Sequence, residues 1–280
     1  MRDRRVKIGI VAPSCRIPEA LPQKLHDMSS RIYGDSAPDI WFNPQCFQIS
    51  GHFAGVDAVR AQAFLEVAND PSFDVLWFGR GGYGSFRLVE DVLAGLKASA
   101  RDKVYMGYSD AGAMLGALYA AGCRKVAHGP MPADLNRAGG EVAVARALAF
   151  LTKGDKGALE PSVAAAPTAA FNITILSHLI GTPYLPDLAG HVLMLEEVSE
   201  AMYRIDRALG QITSTPALRR VEGICLGRCS DITPNDPDFG MTEEQVVRHW
   251  CERSGIPWLG RADIGHDVDN KVVPFGTWGR

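Results

Sequence analysis

The chain has 280 residues, 46% of them apolar and 22% charged, with a formal net charge of -3. That composition suits a globular protein with room for two modest domains or one large α/β domain. It offers no basic field for nucleic acid, and no apolar run approaches the ~18 residues of a membrane-spanning helix.

In chain order, "VKIGIVA" (6–12) reads as a buried strand. The basic residues before it give a superficial likeness to a secretory leader. The apolar stretch is short and stops at Pro13, so we read a core strand and expect a cytoplasmic protein. Residues 18–32 have a helical pattern, and "GVDAVRAQAFLEVAN" puts Val56, Val59, Ala63, Phe64 and Val67 on one helical face. "FDVLWFG" (73–79) and "KVYMGY" (103–108) are further strands, and a short strand leads into His128. Strands alternating with helices predict a parallel sheet covered on both faces, with ligands at the carboxyl ends of the strands. "GRGGYG" and "GYSDAG" both fall at such ends.

Between Ala133 and Thr168 the pattern weakens into a helix-bearing connection. Beyond it, "NITILSHLIGTP" reads as a helix, "HVLMLEEV" (191–198) as a strand and residues 201–214 as a helix. "VEGICLGRCS" is another strand, and "TEEQVVRHWCERSG" a helix with Thr242 as its N-cap. Smaller glycine-rich strands complete the end. The expected organisation is an N-terminal α/β domain over 1–150, a linker over 151–168 and a smaller domain over 169–280. The six cysteines are too scattered for a disulfide framework. Cys225 and Cys229 lack the second pair or nearby histidine of a zinc site, so no metal is expected.

The chemistry-bearing candidates begin with "FGRGGYGSFRLVED" (78–91), whose glycines let the backbone bend sharply and offer its N–H groups to a ligand. The spacing Gly79-x-Gly81-x-x-Gly84 matches a dinucleotide fingerprint. It lies off the first strand, however, and no well-placed acidic partner follows. In "GYSDAG", Gly107, Ala111 and Gly112 surround Ser109 with small neighbours, as a strand–nucleophile–helix elbow requires. That motif alone fits two readings equally: Ser109 as the cap of the next helix, or Ser109 as a nucleophile with the Asp110 N–H beside it.

A serine nucleophile needs a base and an orienting acid. His26, His52 and His249 read as surface residues, His178 as a satisfied core histidine, and His128 as a possible pocket residue. His266 stands in a polar turn, "ADIGHDVDN", where a scaffold can hold a catalytic group. Glu196 and Glu197 end an apolar strand, and alternation sends one to solvent and one inward. An inward carboxylate demands a partner such as His266.

Taken together these segments resemble the LD-carboxypeptidases, serine peptidases of murein recycling that also include microcin C immunity peptidases. The resemblance rests on "IGIVAPS" (8–14), "FAGVDAVRAQAF" (53–64), "RGGYGSFRL" (80–88), "GYSDAGAM" (107–114) and "HGPM" (128–131). It continues through "IGTPYLPDLAGHVLMLEEVSEAMYRIDRALGQI" (180–212), "TPND" (233–236) and "GHDVDNKVVPFG" (265–276). It implies a parallel α/β domain, a smaller β-rich α+β domain and a cleft between them. It implies a triad of Ser109, Glu196 and His266, with oxyanion donors at the backbone N–H groups of Gly82 and Asp110. Asp110 then matters for its N–H more than for its carboxylate.

By the same resemblance the enzyme is a homodimer without a cofactor, acting on a murein tetrapeptide to release a C-terminal D-amino acid. Arg80 and Arg204 are candidates to receive the substrate carboxylate, although most arginines only solvate a face. Two rival readings are an immunity-type peptidase acting on a toxic peptidyl or aminoacyl nucleotide, and a non-catalytic murein-peptide-binding homologue.

Overall fold

The structure, a computed structural model, describes residues 4–162 and 166–279. Residues 163–165 of the expected linker therefore lie outside the described residues. The first half lays down β1 (Lys7–Val11), α1 (Leu21–Tyr33), β2 (Asp39–Phe42), α2 (Asp57–Asn69), β3 (Val75–Phe78) and α3 (Val89–Gly95). It continues with β4 (Val104–Gly107), α4 (Ala111–Ala120), β5 (Lys125–His128) and α5 (Gly140–Lys153). The second half gives β6 (Thr168–Asn172), α6 (Ile173–Leu179), β7 (Val192–Val198), α7 (Met202–Ser214), β8 (Gly223–Ser230), α8 (Glu243–Ser254), β9 (Trp258–Arg261) and β10 (Val273–Pro274).

Two sheets result. The first has the order β10-β5-β4-β3-β1-β2 and is parallel except for β10, which returns from the chain's end to pair antiparallel with β5. The second, β6-β7-β8-β9, is parallel throughout. All four residues of β3 are buried, the mark of a strand with both faces covered. On one face α1 and α5 meet Ile8, Ile10 and Trp77 through Leu21, Leu25, Val144 and Leu148. On the other, α2 and α4 share a core that runs on into the second sheet through Phe171, Leu195 and Leu226.

Helix α4 is the seam between the sheets. Its sequence is apolar all round and its first eight residues are buried, as expected of a helix packed on every side. A Cβ at Gly116 would stand 2.9 Å from Leu179 Cδ1, so the missing side chain lets α4 and α6 approach. The Thr242 capping box forms as its sequence requires: Thr242 Oγ1 accepts from the Gln245 N–H, and Gln245 Oε1 accepts from the Thr242 N–H.

Three expectations are corrected. Ala63, Phe64 and Val67 of the expected α2 face are buried, but Val56 is 54% exposed and Val59 only half-buried; α2 starts at Asp57 and turns Arg60 and Ala61 inward in their place. His178 is exposed, because only Ile173, Leu176, Ser177 and Leu179 of the short α6 face the core. Neither Glu196 nor Glu197 reaches solvent; the second sheet is covered on both faces, so alternation buries both.

Candidate active site

Ser109 sits between β4 and α4 with φ = +61°, a left-handed conformation that costs a non-glycine residue about 1–2 kcal/mol. The turn closes through Gly112 N–H to Ser109 C=O (2.8 Å) and Ala111 N–H to Tyr108 C=O (3.2 Å). Small neighbours are required, as the sequence suggested: a Cβ on Gly107 would lie 2.9 Å from Phe78 Cβ and 3.0 Å from Ala111 Cβ. The helix that follows has no side-chain cap, and Ser109 faces a cleft of about 620 Å³. The cap reading of this serine is therefore not met.

The glycine-rich turn closes over the elbow. A Cβ on Gly81 would meet Ser109 Cβ at 3.1 Å and Oγ at 3.2 Å, so the turn packs directly on the serine. Gly82 (φ +113°) is held on its other side by Cys15, whose Sγ would be 2.5 Å from an added Cβ. Arg60, fully buried, donates to Gly84 C=O at 3.0 Å and to Pro13 C=O, and its guanidinium lies over the Phe53 ring. Among the described residues, the amides of Gly82 and Asp110 donate to no other group. The Asp110 carboxylate is more than a bystander: it accepts from Ser14 Oγ and from Ser85 N–H at 2.9 Å, tying the β1 loop and glycine turn to the elbow.

Glu196 comes from β7 and is fully buried. Opposite it β8 carries an extra residue, and Gly227 is needed there because a Cβ would stand 3.0 Å from Glu196 Cβ and 2.7 Å from Ile264 C=O. Glu196 Oε2 meets His266 Nδ1 at 2.5 Å. Burial alone would depress the His266 pKa, but the Glu196 charge and hydrogen bond outweigh it and lift the value above that of an ordinary imidazole. His266 Nε2 is buried with no hydrogen-bond partner among the described residues. Glu197 points the other way, accepting from Asn172 Nδ2, Thr174 N–H and Thr174 Oγ1, so Glu196 alone of the pair meets the histidine.

His128, which the sequence offered as a possible pocket residue, and several residues that it did not single out hold the His266 loop. Arg146 of α5 donates to Val268 C=O (3.0 Å) and Asn270 C=O (2.8 Å), and Arg137 donates to His266 C=O. Arg228 pairs with Asp263 at 2.6 Å and with Asp267. Buried Asn270 Oδ1 contacts His128 Nε2 at 3.0 Å and accepts from Gly265 N–H at 3.3 Å. His128 thus supports the loop from behind, its pKa lowered by burial. The Tyr108 ring lies 4.9 Å from that of His266, and its hydroxyl donates to Asp134 at 2.8 Å. Burial raises the pKa of Tyr108 and Asp134 alike.

The cleft brings Ser109, His266, Gly82 and Arg80 together, with Glu196 behind the histidine and Asp110 behind the serine. Arg204 lies elsewhere, lining a separate depression with Tyr203, Arg207 and His178 and pairing with Glu200 at 3.6 Å. Arg137 and Asp134 line the cleft instead. A lone arginine in "DLNRAGG" carries no signal in the sequence. No described helix is long and apolar enough to cross a membrane, and no metal-holding group of histidine, cysteine or carboxylate side chains occurs among the described residues.

Comparison with known proteins adds to this geometry. A model of the LD-carboxypeptidase N-terminal domain matches residues 8–129, and one of the C-terminal domain matches residues 167–280. A Synechocystis protein with a provisional carboxypeptidase name is 32% identical over 235 residues, covering 81% of this chain and 76% of that protein. The muramoyltetrapeptide carboxypeptidase of Oxalobacter formigenes superposes with a TM-score of 0.77 at 25% identity, covering 96% of this chain and 93% of the other. The microcin C7 self-immunity protein MccF has the same fold, with a TM-score of 0.75 at 16% identity over 97% of this chain and 91% of its own.

Proposed function

The chain belongs to the LD-carboxypeptidase family, and from that premise we propose that it is a serine-type peptidase that releases a C-terminal D-amino acid from a murein tetrapeptide. The observation that carries the reading is the 2.5 Å contact of Glu196 with His266 Nδ1, in a cleft shared with a serine on a strained elbow. With Nδ1–H held by the carboxylate, the Nε2 lone pair is free to accept the Ser109 proton. Ser109 Oγ attacks the scissile carbonyl, and the amides of Gly82 and Asp110 receive the developing oxyanion. His266 returns the proton to the leaving amine, Glu196 stabilising the imidazolium in between. Water then adds its oxygen to the acyl carbonyl while giving a proton to His266, and His266 passes that proton to Ser109 Oγ as the acyl–Ser109 bond breaks.

Incubation with a tetrapeptide ending in D-alanine, followed by mass spectrometry, tests this. The protein should release D-alanine, and Ser109→Ala should lower the rate by roughly 10⁴–10⁶-fold with unchanged thermal unfolding. Undiminished turnover by Ser109→Ala removes the serine mechanism. Turnover of an aminoacyl sulfamoyl nucleoside in place of the tetrapeptide favours the immunity-type activity.

A further inference from the structure

We propose that Arg137 receives the free carboxylate of the substrate, an inference that rests on the carboxypeptidase reading above. Arg137 stands on the cleft wall. One nitrogen of its guanidinium donates to the His266 main-chain carbonyl, and Nε lies 3.5 Å from Asp134. A guanidinium has five N–H donors in a planar fork, so these two contacts leave part of the fork facing the cleft. A carboxylate matches that fork in charge and geometry. Asp134 is already engaged, accepting from Tyr108 Oη and from Met131 N–H, each at 2.8 Å.

Placement beside His266 is what distinguishes Arg137 from the other cleft cation. In a C-terminal residue the carboxylate is two covalent bonds from the leaving nitrogen, N–Cα of about 1.46 Å and Cα–C of about 1.52 Å. The leaving nitrogen must meet the proton on His266, so the carboxylate recognised must lie close to the same histidine. Arg137 is bonded to that residue's backbone. Arg80 instead belongs to the glycine turn and donates to Arg16 C=O at 3.2 Å. A peptide with a blocked or extended C-terminus would lose the Arg137 contact, making this residue the determinant of carboxypeptidase over endopeptidase action.

The test compares a tetrapeptide ending in D-alanine with the same peptide ending in D-alaninamide, in the wild type and in Arg137→Gln. The wild type should prefer the acid. Arg137→Gln should raise KM for the acid about tenfold to a hundredfold, leave KM for the amide within about twofold, and so erase the preference. Arg137→Lys, which keeps the charge but not the fork, should recover part of it. Because Arg137 also holds the His266 main-chain carbonyl, kcat on both peptides and fluorophosphonate labelling of Ser109 should fall together in Arg137→Gln, so the acid/amide ratio of KM is the readout that a merely structural loss would not move.

An acid/amide ratio unchanged in Arg137→Gln overturns the inference while leaving the peptidase reading intact. If the wild type releases no D-alanine, that reading fails, and calorimetry on Ser109→Ala decides Arg137 separately. Tighter binding of the acid that disappears on adding Arg137→Gln upholds its role; equal or undetectable binding of acid and amide overturns it.

Discussion

The Ser109 elbow and the His266 loop are built in opposite ways. The elbow is made from consecutive residues: a strand end, three turn residues and a helix start, closed by main-chain hydrogen bonds and by glycines that leave no space. The His266 loop has little regular structure and is held by side chains distant in sequence, Arg137, Arg146 and His128 from the first sheet's side and Arg228 from the second. A nucleophile can thus be placed by local backbone geometry, whereas its base is placed by the meeting of two halves of the chain. The histidine's position therefore depends on several polar clamps at once.

The largest effect that sharpens this contrast should come from Glu196→Gln, which keeps the shape of the acid but removes its charge. A roughly 10⁴-fold fall in kcat is expected, as when the orienting acid of a serine triad becomes an amide. The pH profile gives an independent sign. Activity requires neutral His266, whose pKa stands above the ordinary 6.5, so the wild-type rate should fall as pH drops through that raised value. Without the Glu196 charge the pKa loses its upward push, and the residual activity of the variant should hold to lower pH. An acid limb that does not move would detach Glu196 from the base.

Next in size is loosening of the loop from a distance. Arg146→Ala deletes two hydrogen bonds to loop carbonyls without touching the cleft, and a fall of about 10–100-fold in kcat is expected from a mispositioned base. KM should stay nearly constant. A rise in KM with constant kcat would show that Arg146 shapes the substrate site and not the histidine.

The same contrast explains what could be read from the sequence. Long apolar strands such as "VKIGIVA", "FDVLWFG" and "HVLMLEEV" announce themselves, and so does a serine framed by small residues. The four-residue edge strand β2 and the alanine-rich β6 do not, because neither has enough apolar alternation to stand out from a loop. Glu196 and His266 were legible as types needing a partner, but the choice between Glu196 and Glu197 turned on strand register and on Asn172 and Thr174 engaging the second acid. Arg60, Arg137 and Arg146 were invisible as site residues: an arginine's role depends on what folds over it. Asp110 shows the limit from the other direction, since its position promised a backbone donor and its carboxylate proved to be a buried anchor as well.

Smaller effects test whether the elbow is local in energy as well as in sequence. Gly107→Ala adds one methyl where Phe78 and Ala111 already meet the site at 2.9–3.0 Å, and overpacking of this kind costs about 1–3 kcal/mol. Chemical denaturation should report that loss, with turnover falling because the Ser109 backbone must shift. Thr242→Ala, which removes the cap of α8, should cost a comparable ~1 kcal/mol and leave kcat and KM unchanged at temperatures below unfolding. Similar destabilisation with opposite consequences for activity would locate the sensitivity in the elbow's geometry rather than in global stability. If Thr242→Ala impaired turnover as much as Gly107→Ala did, the elbow would have no privileged status, and marginal folding of the whole molecule would account for both.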